Sequence, residues 1–377
     1  MDIVKLKDLT VDGKGTYGVA APAVEYQENL PTYLRITDIL DDGTLNLSEL
    51  KSVKVPDSER YMLRPNDIVF ARTGGSTGRN YFYDGTDGAF VYAGFLIKFS
   101  LDPKKVNPKF IKYFCQSEQY KQWVRSFNTG STRGNINAQT FGNMEIALPG
   151  RKQQDHLVSI LESIGKKIKL NKKINDNLQQ QASAIYQAWF EEFLLSGGSC
   201  PSMWKHGILA DIANITSGKR PSVKFFEMTE NAVIPIVGAA SIMGYTSESN
   251  HTDKILVTGR VGTHGLIQRF SSPCWTSDNT LVITSDLYEY TYQLLKRIDY
   301  HSMNRGSTQP LITQSDMNKV PILIPDSETL NNFELLAGKL MEQYQSNLLE
   351  SRKLAELRDT LLPKLISGEI DVSNIQL

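Results

Sequence analysis

Glycine-rich loops that carry arginines and hydroxyl residues hold the clearest chemistry in this sequence. They lie at residues 72–79, 129–133, 259–265 and 305–308, and a Gly-Lys-Arg-Pro turn begins at Gly218. Arginine forms bidentate hydrogen bonds with guanine edges, hydroxyls suit phosphate oxygens, and glycine lets a backbone approach a duplex closely. The candidate nucleic-acid contacts are Arg72, Thr73, Gly74, Ser76, Arg79, Ser131, Thr132, Arg133, Lys219, Arg220, Arg260, His264, Arg305, Ser307 and Thr308. For any single arginine, a solvated loop charge explains the residue equally well.

No catalytic motif competes with this interpretation. Residues 107–110 read Asn-Pro-Lys-Phe, a near miss to the Asn-Pro-Pro-aromatic loop of adenine methyltransferases. The glycine-rich loops lack the Gly-Lys-Ser/Thr ending of a phosphate-binding loop and do not match Gly-x-Gly-x-x-Gly. The five histidines show no metal-ligand spacing. We therefore expect no catalytic residue, metal site or cofactor in this chain.

Length and composition set the class of protein. The chain has 377 residues, enough for two or three domains. Its 41 Lys and Arg balance 41 Asp and Glu, so only local patches could attract nucleic acid. The three cysteines are far apart and odd in number, which favours a reducing cytoplasm over a disulfide framework. No apolar run approaches the roughly 18 residues of a membrane span, so we expect no membrane contact.

Two long helices are predicted to position the loops. Apolar residues recur every seven positions across residues 151–196, and a second such stretch covers residues 327–369. The positions predicted to pair the two helices are Ile164, Ile168, Asn171, Leu178, Ile185, Leu340, Asn347, Leu354 and Leu361. Either orientation is sterically open. The two asparagines either fix the register of an antiparallel pair or are tolerated at its edge. Pro363 and Gly368 are expected to end the second helix.

The chain repeats itself at an offset of 176 residues. Gly130 and Gly306 begin matching segments, which end at Pro149 and Pro325 and lead into the two helices. Upstream the offset slips, and the matched pairs there are Asp8 with Asp211, Gly15 with Gly218, and Ile68 with Ile255. A fixed-period repeat indicates a duplicated unit. We therefore predict four parts: globules at residues 1–150 and 197–326, and helical regions at 151–196 and 327–377. A shorter helix is also predicted over residues 108–127.

With these elements in place, the chain resembles the specificity (S) subunits of type I restriction-modification systems. Residues 208–221 look like the start of a target recognition domain, and residues 61–74 look like the family's strand and loop. Residues 149–190, with Gln153 and Gln154, resemble the central conserved region of that family. Residues 348–370 resemble its distal conserved region and are the most specific piece. The resemblance covers nearly the whole chain, although the recognition domains match only in outline.

The resemblance implies a fold and a function. The fold would be α+β: two mixed α/β target recognition domains joined by two long antiparallel helices, a coiled coil, with an internal pseudo-two-fold repeat. Each domain would read one half of a bipartite double-stranded DNA site. The helices would set the spacer and dock two modification (methyltransferase) subunits, which restriction (translocase and nuclease) subunits join. S-adenosylmethionine, ATP and magnesium would belong to those partners, and this chain would be non-catalytic and cytoplasmic in a prokaryote.

Two alternatives remain at the level of sequence. A coiled-coil scaffold without direct DNA readout explains the helices but not the duplicated loops of glycine and arginine. An enzyme fusion would need a cofactor loop, which we do not find.

Overall fold

The computed structural model of the chain describes residues 1–127, 134–261, 263–303 and 311–370. The chain divides into two compact units. Unit 1 comprises Met1–Leu170 with Glu350–Leu377, and unit 2 comprises Asn171–Leu349. Each unit therefore contains one globule and part of each long helix.

Unit 1 begins as a β-rich globule. Its strands among the described residues are β1 (Asp2–Lys5), β2 (Thr16–Tyr17), β3 (Ala23–Glu25), β4 (Thr32–Leu34), β5 (Lys51–Val53), β6 (Asp67–Ala71), β7 (Asn80–Tyr83), β8 (Phe90–Tyr92), β9 (Leu96–Ser100) and β10 (Glu145–Leu148). They form an antiparallel sheet in the order β2-β9-β6-β7, a second sheet in the order β3-β5-β4-β8, and the pair β1-β10. Strands β4 and β8 are parallel.

Among the described residues of unit 1, the short α-helices are α1 (Pro108–Phe114), α2 (Glu118–Arg125) and α3 (Ala138–Gly142). The prediction of one helix over residues 108–127 is wrong in one respect, because the helix is broken at residues 115–117. Ser117 begins a new helix there, and its side chain accepts a hydrogen bond from the Tyr120 amide. The near-miss methyltransferase motif is a helix start, in which Asn107 caps α1 by accepting a hydrogen bond from the Lys109 amide.

Unit 2 repeats this architecture. Its strands among the described residues are β11 (Lys205–Ile208), β12 (Asn214–Ser217), β13 (Ile234–Val237), β14 (Ile242–Thr246), β15 (Ile255–Gly259), β16 (Gln268–Phe270), β17 (Trp275–Thr276), β18 (Thr280–Thr284) and β19 (Pro321–Ile324). The sheet β12-β18-β15-β16 has the order of β2-β9-β6-β7, and the pair β11-β19 repeats β1-β10. In the sheet β14-β13-β17, strands β13 and β17 are parallel, as β4 and β8 are in unit 1. The shorter helices are α5 (Tyr288–Leu295) and α6 (Gln314–Asn318).

The strand registers correct two of the matched pairs. β6 and β15 each have five residues and the same neighbours, so Ile68 is equivalent to Leu256 rather than to Ile255. A shift of one residue reverses the two faces of a strand. Ile68 and Leu256 accordingly both lie in the core next to the long helices, whereas Ile255 lies between the two sheets.

The glycine pair is corrected in the same way. Gly18 donates its amide hydrogen bond to Leu96, and Gly218 donates to Thr280, the residue at the same place in the sheet. Gly218 is therefore equivalent to Gly18 and not to Gly15. The Asp8 and Asp211 pair is confirmed by geometry: each carboxylate accepts a hydrogen bond from the amide three residues earlier.

The long helices are α4 (Arg151–Tyr186), which continues as a π-helical turn over Gln187–Glu191, and α7 (Ser327–Ser367). The first helix thus ends before residue 196, because Phe193 has a left-handed backbone. The prediction that Pro363 ends the second helix is wrong, since this proline lies inside α7. The helix ends immediately before Gly368, whose φ of +76° suits a helix terminus.

Within each unit the two helices share a hydrophobic core. In unit 1, Leu157 and Leu161 lie in one cluster with Leu362 and Leu365. In unit 2 the order of contacts is antiparallel, because Asn171 bonds to Asn347 and the later Asn175 bonds to the earlier Tyr344. Of the predicted pairing positions, Ile164, Asn171 and Asn347 are buried. The half-buried ones are Ile168, Leu178, Ile185, Leu340, Leu354 and Leu361. The predicted positions did not include Phe333, Ala337 and Met341, which are also buried.

Candidate nucleic-acid interface

Arg72 and Arg260 occupy the same position in the two units. Arg72 follows β6 and accepts a backbone hydrogen bond from Ile136 at 2.9 Å, and Arg260 follows β15 and accepts one from Ile312 at 3.0 Å. Both arginines are half-exposed. The two residues are 188 positions apart, whereas the segments that bond to them keep the offset of 176. In each repeat, the fold therefore places an arginine from the part whose offset varies next to the part that keeps the offset of 176 residues.

In unit 1 the guanidinium of Arg72 is held against an aromatic ring. Its Cζ lies 5.1 Å from the ring centre of Tyr17, and its Nη2 donates a hydrogen bond of 3.4 Å to Asn135 Oδ1. The Tyr17 hydroxyl in turn accepts a hydrogen bond from the Ala138 amide. This arrangement holds a cation over the ring face, an attraction of about 0.5–1 kcal/mol at an exposed site. Tyr17 remains 43% exposed, so the pair presents a cation and an aromatic ring to solvent.

The rest of the 72–79 loop is shaped by its own backbone. Gly74 has a φ of +79°, and Thr77 Oγ1 donates hydrogen bonds to the carbonyls of Gly74 and Gly134. Thr73 and Ser76 are half-exposed beside this turn. Arg79 differs from Arg72, because its Nε lies 2.7 Å from Asp41 Oδ1 and its Nη1 donates to the Ile39 carbonyl. Arg79 therefore ties the loop to its neighbour, and its nucleic-acid contact stays a prediction.

In unit 2, Arg260 lines an open cleft of about 620 Å³ together with Ser217, Gln314 and Lys319. Ser217 is the structural equivalent of Tyr17, because both precede the glycine that bonds across the sheet. The arginine is thus kept in both units while its neighbour changes from an aromatic ring to a small hydroxyl.

Lys219 and Arg220 are exposed on a turn with a fixed backbone. The Lys219 carbonyl accepts a hydrogen bond of 2.7 Å from Trp275 Nε1, and its amide donates to the Thr276 carbonyl. Both cationic side chains are left available for a ligand. His264 is turned the other way, since its Nδ1 lies 3.1 Å from the Gly259 carbonyl and its Nε2 is buried. Its predicted contact stays a prediction with less geometric support.

The remaining candidates lie outside the described residues: Ser131, Thr132, Arg133, Arg305, Ser307 and Thr308. Sequence reasoning missed Tyr17, Asn135 and Ser217. A signal for two of them existed, because Thr16-Tyr17-Gly18 and Thr216-Ser217-Gly218 share a Thr-x-Gly pattern.

Two properties of the described residues bear on other classes of protein. In that part of the chain, no group of three or more His, Cys, Asp or Glu side chains is arranged to hold a metal ion. Within the same residues, no helix has both the length and the apolar content to cross a membrane.

Comparison with known proteins gives the family. The family described as the type I restriction modification DNA specificity domain matches residues 3–180 and 201–358. Both units are thus covered, and the chain belongs to this family of DNA specificity proteins.

Individual relatives agree. The specificity subunit of the type I restriction enzyme HindI from Haemophilus influenzae is 21% identical, over 90% of this chain and 94% of its own length. The MjaIX specificity subunit from Methanocaldococcus jannaschii is 25% identical, over 71% of this chain and 70% of its own. The crystal structure of the type I restriction-modification S subunit from M. genitalium has the same fold, with a TM-score of 0.60 and 17% identity, over 97% and 95% of the two chains.

Proposed function

We propose that this chain is the DNA-recognition subunit of a type I restriction-modification complex, in which the globule of each unit reads one half of a bipartite site. The observation that carries the proposal is the equivalent placement of Arg72 and Arg260 in two globules of one topology. A duplicated reading surface fits a split site, because half-sites about one helical turn apart present the same groove twice. A coiled-coil scaffold without DNA readout does not account for this duplication.

The long helices have a second role in this proposal. They set the length of the unread spacer between the two half-sites and dock two modification subunits. Exposed leucines on both helices support docking, among them Leu170, Leu335 and Leu349, which are 52%, 61% and 52% exposed. Each of these leucines offers apolar surface that a partner could remove from water.

The chemistry is proposed to reside in the partners. S-adenosylmethionine would bind to the modification subunits, and ATP and magnesium to the restriction subunits. Equilibrium dialysis of the chain alone against labelled S-adenosylmethionine should give no binding, whereas the complex with modification subunits should bind it. Binding to the chain alone would contradict this assignment.

The test of DNA reading compares Arg72→Ala and Arg260→Ala in the complex with modification subunits. The target sequence is first obtained from the methylation map of the host genome. Each substitution should weaken binding of the target duplex by about 1–3 kcal/mol and relax base preference in one half-site only. Affinities are measured by mobility shift over a series of salt concentrations, since an affinity without its salt concentration has no meaning.

Lys104→Ala is the matched control, because it removes an exposed cation from a unit 1 turn outside the candidate surface. It should leave both affinity and base preference unchanged. Equal weakening on every duplex, target or not, would show that the arginines contact only phosphates. If the unaltered complex binds no duplex selectively, the proposed function itself is contradicted.

A further inference from the structure

A polar pocket of about 430 Å³ lies in unit 1 beside Tyr17, on which Arg72 packs. We call it the β9 pocket, after the strand that contributes its most buried charge, Lys98. Its other cations are Lys14 and Arg60, which are exposed at its mouth. The residues in its lining that carry hydroxyl groups are Thr16, Tyr17, Tyr61, Tyr92 and Ser100. Asp12 is the carboxylate in its lining.

Lys98 is the unusual residue of this pocket. Its side chain is only 14% exposed, and its Nζ lies 3.3 Å from Asp67 Oδ2 and 5.4 Å from the Tyr92 ring centre. Asp67 is already well supplied with donors, because it accepts hydrogen bonds from Ser100 Oγ and from the Arg64 amide. An ammonium has three donors, and within the described part of the chain this one meets a single carboxylate. It therefore retains donor capacity beside the pocket.

Unit 2 has the same fold but lacks an ion pair at the positions of Asp67 and Lys98. The strand registers make Asp67 equivalent to Ile255, and Lys98 equivalent to Val282. Ile255 and Val282 lie in the apolar core between the two sheets of unit 2. Replacing a buried ion pair by apolar residues of similar size is often neutral or stabilising. The architecture thus does not need Asp67 and Lys98, which points to a ligand.

We infer that the β9 pocket binds a phosphodiester group of the DNA backbone, next to the nucleotide that Arg72 contacts. This inference rests on the proposed function. A phosphate carries the negative charge that Lys14, Arg60 and Lys98 attract, and these three cations outnumber the carboxylates of Asp12 and Asp67. The hydroxyls of Thr16 and Tyr92 share one hydrogen bond, so the pair retains one proton that can be donated to a phosphate oxygen. Burial raises the pKa of the Tyr92 phenol, so this hydroxyl remains protonated. Tyr17 lines the pocket and also contacts Arg72, so one tract of surface joins the two sites.

The pocket makes the two halves of the molecule unequal. Unit 2 carries apolar residues at the equivalent positions, so the additional phosphate contact belongs to the half-site read by unit 1. Each phosphate neutralised by a cation adds about 0.9 to the slope of log affinity against log salt. Loss of the pocket should therefore lower that slope by about one unit.

The experiment uses the complex with modification subunits and the double variant Asp67→Ile with Lys98→Val, which copies unit 2. We expect it to fold and to show a slope smaller by about 0.9, which corresponds to about fivefold weaker binding at 0.15 M salt. A scan with single neutral methylphosphonates should find one position, in the unit 1 half-site, that weakens the unaltered complex but not the variant. Lys14→Ala, a change at the exposed mouth, should lower the slope and the response at that position, and it carries the test if the double variant does not fold.

The contrary outcomes are distinct. An unchanged slope and an unchanged methylphosphonate profile in a folded variant would overturn the pocket assignment and leave the proposed function intact. Calorimetric binding of inorganic phosphate to the unaltered complex without DNA, together with an unchanged slope in the variant, would assign the pocket to a free anion and overturn the DNA assignment. Absence of any selective DNA binding by the unaltered complex would overturn the proposed function first.

Discussion

Gly18 and Gly218 show how single residues define each recognition unit. A Cβ at Gly18 would meet the backbone carbonyls of Tyr92 and Ala93, and one at Gly218 would meet that of Ser277, closer than real Cβ atoms approach. The backbone amide of each glycine donates a hydrogen bond to the adjacent strand, Gly18 to the Leu96 carbonyl and Gly218 to the Thr280 carbonyl. The requirement is for the absence of a side chain, since neither residue has a positive φ.

Gly218→Ala should therefore destabilise unit 2 by about 1–3 kcal/mol, the usual cost of forcing an extra methyl into a packed site. Gly75→Ala is the matched control, because a Cβ at that residue would meet no atom within 4 Å and its φ is not positive. Its effect should stay within about 0.5 kcal/mol. Urea unfolding of the full chain, followed by circular dichroism, measures both. Equal stability of the two variants would contradict the packing argument.

The sequence predicted part of this residue-level picture. It identified Arg72, Arg260 and Gly218 by composition and spacing. It paired Gly218 with Gly15, because residues between the first aspartate and the essential glycine differ in number in the two units. Only the hydrogen bonds across the sheet show that Gly18 is the equivalent residue. Tyr17 was missed for a similar reason, since its value depends on a partner 55 positions away in the chain.

At the scale of elements, three asparagines form a polar layer between α4 and α7. Asn347 Nδ2 donates a hydrogen bond of 2.9 Å to Asn175 Oδ1, and Asn171 Nδ2 donates one of 3.4 Å to the Asn347 carbonyl. Asn175 Nδ2 donates to the Tyr344 carbonyl at 3.1 Å. All three asparagines are buried. The layer supports the register alternative over simple tolerance at the edge, because a shift along the helices would break several bonds together.

A double-mutant cycle tests this layer. Asn347→Leu should destabilise the chain by about 1–3 kcal/mol, because it leaves Asn175 Oδ1 buried without its donor. Asn175→Leu should behave similarly, and the double variant should be much less unstable than the two effects added. Ser159→Ala, on the exposed side of α4, is the control. Strict additivity of the two leucine substitutions would show that the asparagines do not act as a pair.

The helices themselves were well predicted, but the positions given for α7 omitted three of its buried residues, Phe333, Ala337 and Met341. A heptad pattern finds residues that face a partner helix. Phe333 contacts both the globule of unit 2 and the end of the first long helix, since its ring lies 6.4 Å from that of Tyr290 in α5 and 5.1 Å from that of Phe190 in the π-helical turn. Phe333 stands one heptad before Leu340, so it continues the predicted row, and the predicted positions ended seven residues short of it. The position of Pro363 was misjudged because Leu362 and Leu365 anchor that turn in the core of unit 1.

At the scale of the whole molecule, the offset of 176 separates a common frame from a variable part. The elements that keep this offset are β10 with β19, α3 with α6, and the first residues of α4 and α7. The sheets upstream keep their strand order but not their spacing. The sequence predicted this common frame because its segments contain the same number of residues in both units. It could not align the recognition sheets, where loops of unequal length connect equivalent strands.

If the frame sets the spacer, lengthening it should change which DNA is recognised. One heptad inserted after Leu178 in α4 and another after Leu340 in α7 would extend both helices by about 10 Å, at 1.5 Å per residue. That length matches about three base pairs at 3.4 Å each. A heptad turns a helix by only about 20° from its starting direction, whereas three base pairs turn the duplex by roughly 100°. The new spacer length must therefore be found by selection rather than assumed.

The measurement is selection from duplexes that carry both half-sites at every spacer length, with the altered chain assembled with its modification subunits. We expect a longer preferred spacer and unchanged half-site sequences. A heptad in α4 alone is the control, because helices of unequal length cannot keep both the asparagine layer of unit 2 and the leucine contacts between α4 and α7 in unit 1 in register. It should lose binding or stability rather than shift the spacer. A paired extension that still selects the original spacer would show that the gap is set by the globules, and the helices would then serve only to hold partners.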